Sequence, residues 1–317
     1  LSILYLHRTH TTHTIETPMS TQRVPAFVCA YGPSGYGKTT DTGYSFPNAL
    51  FLAAPGALKP IPALCGYDPS QMPVETIDEA TQAIQAAKAQ GGYDAVIVDD
   101  FSFLAEQTMA AYEKRYSGFR LFGALRESVL GFRNAARFAG LHVVVTCWQK
   151  PPRMRDDGMR IRGGPDLTGK LPEQLPAMCD LVLRADQDPQ RKPWPGIYRV
   201  SSGGDYVGKD RDNGTPSPAP MNLGEILRHN GYTVSRLSSL GWQEGAVEAI
   251  ASALVPQDPK GDRDLLEQAY AALLAEGHDP RHVRWTIRDA WDRAALRRAA
   301  ATRDATFFAP SNNVFGL

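Results

Sequence analysis

Apolar residues gather into short runs along the first half of the chain, at residues 24–31, 49–53, 93–98 and 141–147. Runs of that length without polar alternation predict strands buried on both faces. Between them the spacing turns helical. Residues 74–90 carry apolar positions at helical intervals, with Thr76 ahead of Glu79 as a capping box and Gly91-Gly92 as the stop. A second helical tract fills 103–138 and is predicted to break near Ser117 and Gly118. Strands alternating with helices predict an α/β fold, a parallel sheet flanked by helices.

The pattern changes after residue 147. From 148 to 176 the chain is rich in Pro, Gly, Arg and Lys, which predicts a long mobile loop. Residues 181–185 and 197–200 predict late strands, the second pairing with 205–208 across Gly203-Gly204. Residues 213–220 have the composition of a linker, and 221–317 read as short helices broken at Gly231, Gly241, 256–261 and 277–280. The expected organisation is a lead at 1–22, a core at 23–212, the linker, and a small C-terminal α-helical domain. The Thr- and His-rich lead is expected to be disordered or to be upstream sequence before Met19. No metal site is expected at its His7, His10 and His13.

Charge adds little. Acidic and basic residues balance at 34 each, so attraction to nucleic acid must come from local clusters. Cys29, Cys65, Cys147 and Cys179 are widely spaced and suit small buried hydrophobes in a reducing compartment. Apolar runs fall short of the roughly 18 residues of a membrane span, and a cytoplasmic protein is expected.

The chemistry concentrates where the first run ends. Gly32, Pro33, Ser34, Gly35, Tyr36, Gly37, Lys38 and Thr39 match the eight-position P-loop, after a strand and before a helix, with Thr40 continuing into that helix. Glycines let the backbone N–H groups and the helix N-terminus face phosphate. Lys38 is expected on the β- and γ-phosphate oxygens of ATP, and Thr39 on Mg²⁺. Such a loop needs an acidic strand tip nearby, and the third run ends in Asp99-Asp100. Asp99 is expected to hold Mg²⁺ through water. Asp100 either orients and deprotonates the attacking water or caps the helix that follows. At the tip of the fourth run, Thr146 either senses the γ-phosphate or satisfies its own strand end.

With these residues in view, the chain resembles the phage RecA-like P-loop ATPases that include single-strand annealing and recombination proteins. The resemblance covers residues 24–232 and rests on GPSGYGKTT, SFPNALFL, YDAVIVDD, LHVVVTCW, GPDLTGKLPEQLP with CDLVLRA, and YVGKDRDNG with MNLGEIL. It implies a RecA-like core, ATP binding, homo-oligomeric assembly on single-stranded DNA and a role in phage recombination or replication in the host cytoplasm. One departure stands out: in such proteins the strand after the first helix ends in an acidic pair, whereas here Leu50-Phe51-Leu52 runs into Ala53-Ala54-Pro55-Gly56. Either Asp100 performs that pair's task from the neighbouring strand, or the protein binds ATP and turns it over slowly.

Trp148, Lys150, Arg153, Arg155, Arg160 and Arg162 form a locally basic stretch beyond the fourth run, interleaved with Asp156, Asp157 and Asp166. Cations on a backbone and an aromatic ring on bases are how single strands are held, and the stretch is either that or a solvated loop. RecA-like assemblies insert a cation into the neighbour's phosphate site, a role the resemblance offers to Arg211 beside Lys209; a local pairing with Asp210 or Asp212 is the alternative. In the tail, Arg281, Arg284, Arg288, Arg293, Arg297, Arg298 and Arg303 read as a solvated face behind an apolar stripe, with a nucleic-acid or partner surface as the alternative. A second functional reading is a nucleotide-binding scaffold or loader that recruits a replication or virion protein through its C-terminal helices.

Overall fold

A computed structural model describes residues 23–187, 196–200, 204–235, 244–254 and 259–302. The lead with its three histidines, Gly203, Gly241 and Arg303 lie outside the described residues. In chain order the elements are β1 (Phe27–Tyr31), α1 (Lys38–Ser45), β2 (Ala49–Ala53), α2 (Pro60–Cys65), β3 (Ser70–Met72), α3 (Ile77–Gln90), β4 (Ala95–Asp99), α4 (Phe101–Glu113), α5 (Phe119–Phe138) and β5 (His142–Cys147). Then follow β6 (Gln149–Lys150), β7 (Arg153–Met154), β8 (Arg160–Ile161), β9 (Gly164–Pro165), α6 (Leu171–Met178), β10 (Leu181–Asp186), β11 (Ile197–Arg199), β12 (Lys209–Asp210) and β13 (Ala219–Pro220). The chain continues as α7 (Leu223–His229), α8 (Glu244–Ala253), α9 (Pro259–Ala275) and α10 (Pro280–Thr302).

The central sheet has the order β13-β11-β10-β1-β5-β4-β2-β3, with β12 also on β10. From β10 to β3 it is parallel; β11 and β12 pair antiparallel with β10, and β13 pairs antiparallel with β11. The fold is the expected α/β architecture. Because side chains alternate along a strand, Phe27, Cys29 and Tyr31 enter the core under α3, α4 and α5, while Ala26, Val28 and Ala30 enter the one shared with α1, α2 and α7. Covering both faces is why these strands carry no polar alternation. All four cysteines are buried.

Local signals hold where they were strong. Thr76 caps α3, its hydroxyl accepting from Glu79 N at 3.2 Å, and the Glu79 carboxylate accepts from Glu75 N at 2.8 Å. The helical tract divides as expected, with α5 beginning after Gly118 at φ 58°. Among the described residues no helix is long and apolar enough to cross a membrane.

Three expectations change. Residues 205–208 do not pair with β11, whose edges are taken by β10 and β13; Tyr206 instead bridges Gly163. A Cβ on Gly163 would come within 2.6 Å of the Tyr206 ring, so glycine permits that approach. The expected long loop is a two-tiered β-arm, β6 with β9 at its base and β7 with β8 beyond, turned at Gly158 with φ 77°. The end of the expected linker is β13, buried at the sheet edge.

The C-terminal helices also depart from a solvated arginine face. Trp285 and Leu296 of α10 join the core shared with α1 and α7, and Arg288 and Arg293 are buried. Helical periodicity marks a stripe but does not say which stripe is covered. Here carboxylates on other elements compensate the guanidinium groups.

Candidate functional site

At the carboxyl end of β1 the backbone turns sharply. Gly32 N donates to Cys147 O at 3.2 Å, and a Cβ on Gly32 would lie 2.8 Å from the Ala185 Cβ, so only glycine fits between β5 and β10. Gly35 and Gly37 hold φ of 78° and 85°, left-handed values that L side chains rarely adopt. Gly37 is the N-cap of α1. Around it, Pro33 and Tyr36 are half-buried, Ser34 is exposed, and Thr40 is buried with its carbonyl facing the Cys65 thiol at 3.7 Å.

Lys38 is 8% exposed, its ammonium donating to Gly32 O at 2.8 Å and Pro33 O at 2.9 Å. Burial pushes its pKa down, opposed by the carboxylates of Asp99 and Asp100. The lysine is thus folded over the loop with its charge held by the loop's own carbonyls.

Sheet order brings the next groups in. β5 lies between β1 and β4, with Thr146 level with Ala30, while Ala53 of β2 is level with Asp99. Asp99, 6% exposed, accepts from the Thr39 hydroxyl at 2.6 Å through Oδ2 and from the Thr146 hydroxyl through Oδ1. One buried carboxylate therefore ties the first turn of α1 to two strand tips.

Asp100 is half-buried and is the N-cap of α4, accepting from Phe103 N at 2.6 Å through Oδ1. Its pKa is pushed up to about 6, first by burial and further by the Asp99 charge, while the Phe103 N–H and Lys38 pull it down. It caps α4 with its carboxyl pKa raised toward neutral. A small cleft beside it is lined by Ala53, Ala54, Val74 and Phe103.

The basic arm leaves β5 directly beyond Thr146. Trp148 is half-buried and anchored by its N–H to Ser102 Oγ at 3.0 Å. Lys150 meets Asp166 at 3.3 Å, Arg155 meets Asp157 at 3.3 Å, and Arg160 meets Asp205 at 2.5 Å. Arg162 donates to Tyr206 O at 3.4 Å, and Arg153 is exposed on β7. Exposed pairs of this kind contribute roughly 0–1 kcal/mol, so they do not commit the cations against a stronger anion.

Arg211 lies elsewhere. Its guanidinium pairs with Asp180 Oδ1 at 2.9 Å, not with Asp210 or Asp212, and Asp180 also receives Phe27 N at 3.0 Å. That is the amino end of β1, opposite the glycine loop. Lys209 beside it donates to Pro176 O and Ala177 O at the end of α6.

Sequence reasoning passed over the buried polar groups behind α1. Asp41 is fully buried and accepts the Tyr198 hydroxyl at 2.8 Å, from a residue 157 positions away. That separation leaves no pattern in the sequence to detect.

The sequence pattern of a family described as an AAA domain matches residues 25–212 of the chain. Among solved structures, the RadB recombinase is similar at 19% identity over 55% of this chain and 78% of that one, with a TM-score of 0.34. A KaiC-like protein from Pyrococcus horikoshii is similar at 16% identity over 55% of this chain and 76% of that one, also with a TM-score of 0.34. No curated protein matches the chain.

Proposed function

The chain belongs to the AAA domain family, a nucleotide-binding ATPase group, and from that premise we propose that it binds Mg·ATP at residues 32–40, hydrolyses it slowly, and acts on single-stranded DNA in phage recombination or replication. The observation that carries the nucleotide reading is the pair of hydrogen bonds joining Thr39 and Thr146 to Asp99 beside a left-handed glycine loop. A hydroxyl and a carboxylate oxygen 2.6 Å apart are a hard-oxygen donor set of the kind Mg²⁺ takes. Thr39 and Asp99 would hold the ion, and Lys38 would transfer its hydrogen bonds from Gly32 O and Pro33 O to phosphate oxygens. Bound there, the metal would neutralise phosphate charge.

Asp100 is the base in this reading. A carboxyl group with a pKa of about 6 is ionised at neutral pH yet basic enough to take a proton from water. The rate at saturating Mg·ATP is expected to fall as the pH drops and Asp100 takes up its proton. Asp100→Asn should lower it by ~10²- to 10⁴-fold and flatten the profile. A variant that keeps the parent's profile removes Asp100 from the chemistry.

The arm supplies the proposed DNA contact: four exposed arginines on or beside a hairpin that starts at the strand tip carrying Thr146. Replacing Arg153 and Arg155 by Ala should weaken an oligonucleotide about 10-fold at ~0.1 M salt. The same change should reduce the salt slope by roughly 1.4, since each phosphate contact on a single strand contributes about 0.7. Fluorescence anisotropy checks both. Parent-like affinity and slope would remove the arm from DNA binding and favour the second reading, a nucleotide-binding scaffold that recruits a protein partner. Alanine at position 53, level with Asp99 where the resembling family carries an acidic pair, is the feature that favours such a slow or non-hydrolysing scaffold.

A further inference from the structure

Helix α1 carries Lys38 and Thr39 at one end, and its flank is fastened by a buried polar cluster that the nucleotide reading does not use. On α1, Asp41 accepts from Tyr198 of β11 and, at 3.3 Å, from Leu223 N at the start of α7; Ser45 Oγ accepts from Gly224 N at 2.9 Å. The Tyr44 hydroxyl lies 2.7 Å from Asp289 Oδ1 and 3.1 Å from Trp285 O, both on α10. Asn222 donates to Asp289 at 2.9 Å and to Asp292 at 3.0 Å.

Arg288 of α10 sits at the centre. Its guanidinium lies 4.3 Å over the face of the Tyr44 ring and 3.9 Å from Asp41 Oδ1; its Nε is 3.4 Å from Asp292, and it donates to Met221 O. On the opposite flank of α1, Gly43 presses on α2, where a Cβ would come within 2.6 Å of Ile61. Helix α1 is therefore wedged between α2 and α10.

Buried ion clusters seldom stabilise a fold more than apolar packing of the same volume would. What directional hydrogen bonds add is a defined rotation of a helix about its axis and a defined seat along it. For α1 that rotation decides where the Lys38 and Thr39 side chains emerge. We propose that Arg288 is a positioning residue for the nucleotide site, seating α1 through Asp41 and the Tyr44 ring, so that the C-terminal helix sets how well the P-loop receives phosphate. The effect on ATP rests on the nucleotide reading above; the seating of α1 does not.

The test uses the full chain as Arg288→Met, which keeps the stem and removes the charge, as Arg288→Lys, and as Tyr44→Phe, a control that removes the hydroxyl's bonds to Asp289 and Trp285 and keeps the ring under Arg288. Amide hydrogen exchange without nucleotide is followed over residues 38–45 and over β1 and β4, together with the Kd for Mg·ATP and kcat. In Arg288→Met, exchange in 38–45 should quicken about 10-fold while β1 and β4 stay parent-like, and the Kd should rise about 10-fold, the scale of one lost desolvated cation–π contact. Arg288→Lys restores part of both, because it keeps the charge and loses the planar fork. Should Arg288→Met fail to fold, Arg288→Lys gives the same readouts at smaller amplitude. Parent-like exchange over 38–45, or faster exchange spread evenly over all elements, overturns the proposal, as does an unchanged Kd in variants of a parent that binds ATP. A parent that binds no ATP defeats the nucleotide reading instead, and the exchange data still decide the seating of α1.

Discussion

Lys38→Ala is expected to cost ~10²- to 10³-fold or more in Mg·ATP affinity while leaving the nucleotide-free protein at least as stable as its parent. The ammonium makes two hydrogen bonds, to Gly32 O and Pro33 O, that pass to phosphate on binding. Charged hydrogen bonds contribute ~1.5–3 kcal/mol each, so losing two removes ~3–6 kcal/mol of the ~8 kcal/mol behind a micromolar affinity. Stability moves the other way. Burial lowers the folded pKa of Lys38 below its unfolded value, so below that lowered pKa the charge costs stability, a cost absent in alanine. Thermal melts with and without Mg·ATP read both effects. A variant that melts like the parent and keeps its nucleotide-induced shift would show that Lys38 is not the phosphate ligand.

Arg293→Ala should cost about 3 kcal/mol of stability, the low end of what breaking a buried ion pair costs, because Arg228 remains at 2.6 Å from Glu225. Arg293 holds Glu225 through two nitrogens at 3.0 and 3.1 Å and reaches Glu244 at 2.7 Å and Glu248 at 3.1 Å. Glu225 is 1% exposed, so without its fork a buried carboxylate is left half-compensated. Burial already raises the folded pKa of Glu225 above its unfolded value. The folded state therefore binds the extra proton first, and the deficit should shrink as pH falls toward that raised pKa. Denaturation at acid and mildly alkaline pH checks the sign, and Glu225→Gln added to Arg293→Ala should recover much of the loss. An equal deficit at both pH values would mean that packing, not charge, sets the cost.

These predictions draw on parts of the molecule that were unequally legible in the sequence. Strands β1, β2, β4 and β5 announce themselves because a parallel strand covered on both faces must be apolar throughout. The glycine loop and the Asp99 strand tip were readable for the same kind of reason: their geometry constrains residue type locally. The arm was not. Two-residue ladders such as β6 with β9 have no periodicity of their own and depend on a distant fit, Tyr206 against Gly163. Nor could the arginines of α10 be assigned to a buried face, since the carboxylates that meet Arg293 stand 45 to 68 positions away. Arg211 shows the same limit, its partner being Asp180 at the start of β10 and not its neighbours in sequence.

The most direct measurement is a calorimetric titration of the full chain with ATP, run with Mg²⁺ and again with the metal chelated. Closure of the glycine loop and the Asp99 strand tip around one metal–nucleotide complex calls for saturable heat at one site per chain that weakens sharply without Mg²⁺. A flat titration in the presence of Mg²⁺, or binding indifferent to the metal, would contradict it.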